Sequence, residues 1–165
     1  MRRPTMKASD IMTSSPCTCS PSDSLRDVAR LMRDNDCGAV PVVDDDGCVI
    51  GMVTDRDLAV RALADGTSAN ASVGEFITRD PRCCAADDDI RDVEKIMADN
   101  QVRRVPVVNA DGACVGIVSQ ADLARAALDG ASVSEHEVAI VVERVSAPQR
   151  KSFNRDDSPF VERVF

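Results

Sequence analysis

The chain has 165 residues, enough for one ordinary domain or two small ones, and its 44% hydrophobic and 29% charged content is typical of a globular protein. Its net charge of −8 disfavours general nucleic-acid binding, because a phosphate backbone requires a basic surface. The sequence contains no apolar run long enough to span a bilayer and no signal peptide, so we expect a soluble cytoplasmic protein with no membrane partner.

Seven cysteines and a single histidine raise the question of a metal or redox site. The sequence has no CxxC motif, and no Cys/His pair has zinc-finger spacing. Several cysteines lie inside apolar, strand-like runs, where a free thiol behaves as a small hydrophobe. We therefore predict buried, reduced thiols and no metal site, with Cys83-Cys84 and Cys17-x-Cys19 as the redox candidates.

The first predicted elements along the chain are a short strand and a helix. Residues 17–19 follow a proline and are typical of a brief strand. Ser22 is the expected cap of a helix near 23–35, because apolar residues recur there at helical spacing. These are Leu25, Val28, Leu31 and Met32.

A hairpin and a second helix follow. AVPVV (39–43) is typical of a buried strand, DDDG (44–47) of a turn and VIGMV (49–53) of the returning strand. A second helix is predicted from about 55 to 64. The order of elements is therefore β-α-β-β-α.

The same pattern occurs a second time. Adding 65 to a residue number superimposes the first half on the second without a gap, and roughly two positions in five are identical. A unit of this size would bury only a marginal core by itself, so two should pack together. We predict an α+β fold in which the two units are related by a pseudo-twofold axis. The expected boundaries are 8–64 for the first unit, 65–73 for a polar linker, 74–129 for the second unit and 130–165 for a C-terminal helix and tail.

The C-terminal region differs from the repeat. Ser134-Glu135-His136-Glu137 has the form of a capping box, and an apolar stripe follows it until Pro148 ends the helix. The stripe consists of Val138, Val141, Val142 and Val145. We expect it to pack on the body of the protein or on a second subunit. Residues 149–165 are predicted to be a charged arm, either flexible or docked on a partner.

The two copies of one motif, GMVTDRDL and GIVSQADL, raise the question of function. Their hydroxyl residues, Thr54 and Ser119, are followed three positions later by Asp57 and Asp122, which is the pattern of a helix N-cap. A helix start also presents free N–H groups that favour a phosphate, and a carboxylate there can accept hydrogen bonds from a ribose diol. A simple cap, and a cap that doubles as a ligand site, are both compatible with the sequence.

The repeated segments resemble the CBS domain family. The residues that carry the resemblance are IMTSSP, AVPVVDDDGCVIGMVTDRDL and their counterparts FITRDP and RVPVVNADGACVGIVSQADL, over about residues 10–128. Two such units resemble a CBS pair, also called a Bateman module. This resemblance implies a regulatory, non-catalytic protein that needs no cofactor and binds AMP, ADP or ATP, or else S-adenosylmethionine or NAD, in clefts between the units. It also implies a homodimer that acts on an unidentified regulated protein.

The family further implies where the ligand binds. Its motif hydroxyl and aspartate contact ribose and phosphate, and a basic residue just before the V-P-V strand reaches the phosphates. The positions of this chain that match are Ser119, Asp122, Arg103, Arg104, Val105, Pro106, Thr54, Asp57, Arg56, Val40 and Pro41.

The two copies are unequal. Arg103-Arg104 of the second unit corresponds to Gly38-Ala39 of the first, and a guanidinium can hold a phosphate with two hydrogen bonds. Arg56 lies inside the first motif. These arginines also fit solvated surface positions. We expect the second motif to form the better nucleotide site.

Two other interpretations remain open: a thiol- or metal-responsive protein, and a structural interaction module with empty clefts. An enzyme is not indicated, because the sequence suggests no nucleophile–base pair.

Overall fold

The computed structural model describes residues 6–129 and 133–148. Its strands are β1 (Thr13–Ser14), β2 (Ala39–Val43), β3 (Val49–Thr54), β4 (Thr78–Arg79), β5 (Cys84–Ala85), β6 (Arg104–Val108) and β7 (Cys114–Ser119). Its helices are α1 (Ala8–Ile11), α2 (Leu25–Asp34), α3 (Asp55–Asp57, continued by a π-helical segment Leu58–Leu63), α4 (Ile90–Asn100), α5 (Gln120–Leu128) and α6 (Glu135–Ser146), with a 3₁₀ turn at Val73–Glu75. The predicted α+β architecture of two repeated units and a C-terminal helix is confirmed.

Each unit is built around the predicted hairpin. β2 pairs antiparallel with β3, with Val42 opposite Gly51, and β6 pairs with β7, with Val107 opposite Gly116. The predicted first strand of the second unit is β5, which lies parallel to β6. In the first unit the corresponding segment makes one parallel bridge, between Cys19 and Val42.

The start of α2 differs from the sequence prediction. The cap is Ser24, whose hydroxyl oxygen accepts a hydrogen bond from the N–H of Asp27 at 3.1 Å. Ser22, the predicted cap, instead hydrogen-bonds Ser20 through its hydroxyl at 2.9 Å. The predicted helix over 23–35 is therefore correct in position but begins at Leu25. The helix predicted over 55–64 is α-helical only at its start and continues as a π-helix.

The first strand of each unit pairs with the sheet of the other unit. β1, which precedes α2 in the first unit, pairs with β7, and β4, which precedes α4 in the second unit, pairs with β3. The two sheets are therefore β1-β7-β6-β5 and β2-β3-β4. Each core consequently draws on residues from both halves of the chain.

The two hairpin turns meet at the pseudo-twofold axis. The N–H of Val49 donates to the carbonyl oxygen of Gly112 at 3.2 Å, and the N–H of Cys114 donates to that of Gly47 at 3.0 Å. Gly47 and Gly112 have φ of +79° and +86°, a backbone conformation that glycine adopts without strain. The Asp-Gly turns thus serve both as hairpin turns and as the contact between units.

Two separate apolar clusters form the cores. The first-unit cluster contains Val28, Val40, Val53, Val73 and Ile77, of which Val73 ends the linker and Ile77 lies beyond it. The second-unit cluster contains Ala8 of α1 and the buried valines of β6 and β7, together with Val138, Val141 and Val145 of α6. Fully burying a side chain of this size contributes about 1.5–3 kcal/mol, so both clusters depend on the exchanged segments.

The C-terminal helix packs on the body of the protein. Val138, Val141 and Val145 of α6 are buried against α4 and α5, whereas Val142 is 43% exposed. The predicted capping box is present, with the Ser134 hydroxyl and the Glu137 carboxylate each bonded to the other residue's N–H. The predicted arm, residues 149–165, lies outside the described residues.

Candidate functional site

The strand-to-helix turns of both units place the motif residues identically. In the first unit the Thr54 N–H and hydroxyl donate to Oδ2 of Asp57 at 3.0 and 2.7 Å. In the second, Ser119 donates in the same way to Asp122 at 2.7 and 2.6 Å. The hydroxyl oxygens accept the N–H of the same aspartates. Both motifs are therefore complete capping boxes, as the sequence predicts.

The motif aspartates have a second contact each. Oδ1 of Asp122 accepts a hydrogen bond from Arg125 at 2.5 Å, and Oδ1 of Asp57 lies 3.4 Å from Nη1 of Arg61. Asp122 is only 8% exposed. Since both of its oxygens are engaged within the chain, this carboxylate is held rigidly at the start of α5.

The two arginines before the V-P-V strand of the second unit differ in their exposure to solvent. Arg103 is exposed, whereas Arg104 is half-buried and pairs across the hairpin with Ser119. A methyl group added at Gly38 would lie 3.5 Å from Nη2 of Arg104 and 2.9 Å from Oδ2 of Asp55. The side chain of Arg104 therefore extends from the second unit to Gly38 of the first unit. The repeat equivalent of Arg104 is Ala39, which has no such side chain.

The remaining predicted site residues lie in different environments. Val40 and Val105 are fully buried in the two apolar clusters, and Pro41 and Pro106 are buried beside them in the same strands. Arg56 is exposed in the first turn of α3. The structure thus brings the Arg104 side chain close to Gly38 and Asp55, and it leaves Arg56 and Arg103 at the surface.

Three residues around this point were not predicted from the sequence as parts of the site. Gly38 provides the space that Arg104 enters, and Asp55 supplies a carboxylate beside it. Gln120, the repeat equivalent of Asp55, has a buried side-chain nitrogen without a hydrogen-bond partner among the described residues. Asp55 and Gln120 could have been found from the sequence by their place in the motif, because they directly follow the capping residues Thr54 and Ser119.

Two cavities lie away from this point. One, of about 540 Å³, lies between the ends of α4 and α6, and the other, of about 450 Å³, lies between α2 and the π-helical segment. Within residues 6–129 and 133–148, no group of three or more His, Cys, Asp or Glu side chains is arranged to hold a metal ion. In the same ranges no helix is long and apolar enough to cross a membrane.

The fold is that of a tandem pair of β-α-β-β-α modules with capped strand-to-helix turns in both copies. The family model for the CBS domain matches residues 8–63 and 73–129, so the chain belongs to the CBS domain family. Hypoxic response protein 1 of Mycobacterium tuberculosis is 34% identical over 142 residues, which are 86% of this chain and 94% of that protein.

Solved structures show the same relationship. Hypoxic Response Protein I, with two coordinated zinc ions, has a TM-score of 0.67 and 37% identity over 73% of this chain and 98% of its own. The CBS domain pair of protein MJ0100, in complex with 5-methylthioadenosine and S-adenosyl-L-methionine, has a TM-score of 0.69 and 28% identity over 77% and 98%. CBSX2 in complex with AMP has a TM-score of 0.65 and 29% identity over 74% and 96%. CBS pairs similar to this chain therefore bind adenosine-containing ligands.

Proposed function

We propose that the chain is a non-catalytic, cytoplasmic sensor that binds AMP, ADP or ATP between its two units and regulates another protein. The observation that carries this proposal is the position of Arg104, which extends from the second unit to Gly38 and Asp55 of the first. A ligand bound beside Arg104 would contact both units, and it would favour whichever arrangement of the units fits it better. The ligands of the MJ0100 and CBSX2 structures support the adenosine class.

The second motif has the better set of groups for a phosphate. Arg104 supplies a positive charge and a planar fork of donors, and the first turn of α5 adds N–H groups at the positive end of a helix. The buried amide nitrogen of Gln120 is a further donor that an acceptor on the ligand would satisfy. The first motif has Ala39 where the second has Arg104, so we expect it to bind phosphate-bearing ligands more weakly or to prefer S-adenosylmethionine, which has no phosphate.

Titration calorimetry with AMP and ATP tests this proposal. We expect Arg104→Ala to weaken binding at least tenfold, because a charge-assisted contact to phosphate is lost. Arg91→Ala, at an exposed arginine of α4 outside both motifs, is the matched control and should change affinity less than threefold. Asp122→Ala should lose more affinity than Asp57→Ala, with circular dichroism to confirm that both variants remain folded.

Two kinds of result would contradict the proposal. Equal losses from Asp122→Ala and Asp57→Ala, or none from Asp122→Ala, would contradict the asymmetry. If AMP, ADP, ATP, S-adenosylmethionine and NAD all fail to shift the thermal unfolding of the unmodified chain, the nucleotide function is wrong. A structural module or a thiol-responsive protein would then account for the fold better.

We also propose that the protein is a homodimer joined through its first unit. The groove between α2 and the π-helical segment has an apolar floor formed by Leu25, Ala29, Leu58 and Ala62. In the second unit α6 covers the equivalent groove, so that Glu94 is buried while its counterpart Ala29 is exposed. The outer face of α2 carries both signs of charge, including Arg26, Asp27, Arg30, Arg33 and Asp34. A face of mixed charge can be complementary to itself, which a twofold dimer requires.

Sedimentation velocity of two matched variants tests the dimer. Leu63 borders the open groove and Leu128 is its repeat equivalent, and both are 74% exposed. We expect Leu63→Asp to give a monomer, because a carboxylate would be buried at the contact. Leu128→Asp should leave the dimer intact. A monomeric unmodified chain, or a dimer that survives Leu63→Asp, would contradict this interface.

A further inference from the structure

Two cysteines that are 20 residues apart in sequence meet beside the first unit's strand β2. The sulfur atoms of Cys17 and Cys37 lie 3.6 Å apart, and both residues are partly accessible to solvent. Sequence spacing favoured Cys17-x-Cys19 instead. The structure places Cys19 in the core with 4% exposure. It also directs the two adjacent thiols of Cys83 and Cys84 to different carbonyl oxygens.

The backbone on both sides holds the two thiols in place. The N–H of Cys37 donates to the carbonyl oxygen of Met32 at 3.0 Å, which fixes the end of α2. The N–H of Cys19 donates to the carbonyl oxygen of Pro41 at 3.1 Å, which fixes the segment that carries Cys17 against β2. Closing the gap from 3.6 Å to a disulfide bond of about 2.05 Å requires only a short approach of the two sulfur atoms, which rotation of the two side chains can supply.

We propose that Cys17 and Cys37 form a reversible intramolecular disulfide when the protein meets a hydroperoxide. The bond would join the segment that carries Cys17 to the loop between α2 and β2 that carries Cys37. That loop ends at Gly38, the residue that faces Arg104 and Asp55. This modification is independent of nucleotide binding, so it stands or fails separately from the proposed function.

The chemistry is a two-electron oxidation in two steps. The Cys37 thiolate attacks one peroxide oxygen, the O–O bond breaks, and the departing hydroxide takes up the thiol proton as water. The Cys17 sulfur then attacks the sulfenic acid, the S–O bond breaks, and its hydroxyl leaves as water with the Cys17 proton. Two thiols and one hydroperoxide thus give one disulfide and two waters when the oxidant is hydrogen peroxide.

The environment of Cys17 fits the second role. Burial, together with the hydrogen bond and the charge of Cys37, raises the pKa of the Cys17 thiol to about 11. Since the thiolate is the attacking form, Cys17 is a poor first nucleophile at neutral pH. Its sulfur lies 3.6 Å from that of Cys37, close enough to resolve a sulfenic acid that forms there.

Peptide mapping of the full chain tests the proposal. Reduced protein is treated with a small excess of hydrogen peroxide, remaining thiols are alkylated, and a non-reducing digest is read by mass spectrometry. We expect a peptide linked through Cys17 and Cys37, a loss of two thiols per chain, and full recovery with dithiothreitol. Closing a loop of this length should also raise the unfolding temperature by about 10 °C.

Single variants separate this pair from the other thiols. Cys37→Ser and Cys17→Ala should each abolish the linked peptide and the rise in unfolding temperature, and either variant suffices if the other does not fold. Cys83→Ser is the matched control and should retain both. A link through any other pair, disulfides between chains only, or no loss of thiols under peroxide would overturn the proposal.

Discussion

A methyl group at Gly51 would lie 2.7 Å from Cδ1 of Ile77 and 3.2 Å from the carbonyl oxygen of Thr78. The same arrangement occurs at the repeat position, where Met12 lies over Gly116. The glycine that opens each copy of the motif is therefore required because a residue from the other half of the chain crosses directly over it. A side chain there would separate the exchanged strand from its sheet.

We predict that Gly51→Ala destabilises the protein by about 1–2 kcal/mol, because the added carbon overpacks a site bounded by backbone. Urea unfolding followed by circular dichroism measures the change. Ile77→Val removes the Cδ1 atom that a methyl group would meet first. The double variant should therefore lose less stability than the sum of the two single variants. Strictly additive losses would show that the two residues do not share this space.

Some of these residue contacts could be predicted from the sequence and others could not. Both capping boxes follow from Ser/Thr-x-x-Asp, because that pattern acts within one turn of chain. Ser24 was missed in favour of Ser22 because several adjacent serines and aspartates have the same capping chemistry. The direction of Arg104 and the pairing of Cys17 with Cys37 depend on how distant segments pack, which no local pattern encodes.

At the scale of elements, α6 changes the properties of the helix beneath it. Glu94 on α4 is 7% exposed, and one of its carboxylate oxygens is buried without a hydrogen-bond partner among the described residues. Burial, with a smaller contribution from the nearby Glu137 carboxylate, raises the pKa of Glu94 to about 7. The Ser134 N–H and hydroxyl lower the pKa of Glu137, so that group keeps its charge.

The raised pKa of Glu94 makes the stability of the protein depend on pH. The folded chain binds this proton more tightly than the unfolded chain between pH 4.5 and about 7. The free energy of unfolding therefore falls as pH rises through that window. We predict that Glu94→Gln is more stable than the unmodified chain at pH 8 by about 2 kcal/mol, and equal to it at pH 4.

Urea unfolding at both pH values measures this difference. Glu143→Gln, at an exposed position of α6, is the control and should show the same small effect at both. A stabilisation by Glu94→Gln that does not depend on pH would contradict the assignment.

The sequence predicted that the α6 stripe packs on the body or on a second subunit, and the structure shows the first. It could not predict the burial of Glu94. A glutamate in a helix rich in charged residues is expected to be exposed. Only the path of the chain after residue 129 brings α6 across Glu94. The fold of each unit was predictable because its signals are periodic and local.

At the scale of the molecule, the 65-residue register predicted two units and their pseudo-twofold relation, but it did not predict the exchange of β1 and β4. The two candidate partners of β1 have similar sequences, Gly51-Met52 in β3 and Gly116-Ile117 in β7. Local pairing preferences therefore do not distinguish the two topologies. The choice depends on the packing of α1, whose Ala8 is fully buried in the second-unit cluster.

The exchange has a consequence for the linker. A Cβ at Gly66 would meet nothing within 4 Å, so a protease site inserted there should be cleaved without disturbing either core. The amino-terminal fragment would still contribute β1 to the sheet of the second unit, and the carboxyl-terminal fragment would still contribute β4 to the sheet of the first unit. The linker residues Ala69 and Ala71 would remain hydrogen-bonded to the start of α2.

We predict that the two fragments stay associated after cleavage and elute together on native size-exclusion chromatography at micromolar concentration. Each fragment alone would expose the apolar surface that the other's exchanged segment covers, and burial of that surface favours the complex. Removal of residues 1–14 from the cleaved protein is the control, because it deletes α1 and β1 while leaving the hairpins intact. The trimmed fragments keep only the exchange of β4, so they should associate more weakly than the untrimmed pair. If the untrimmed fragments separate, the exchanged strands do not hold the units together, and the linker itself is what joins them.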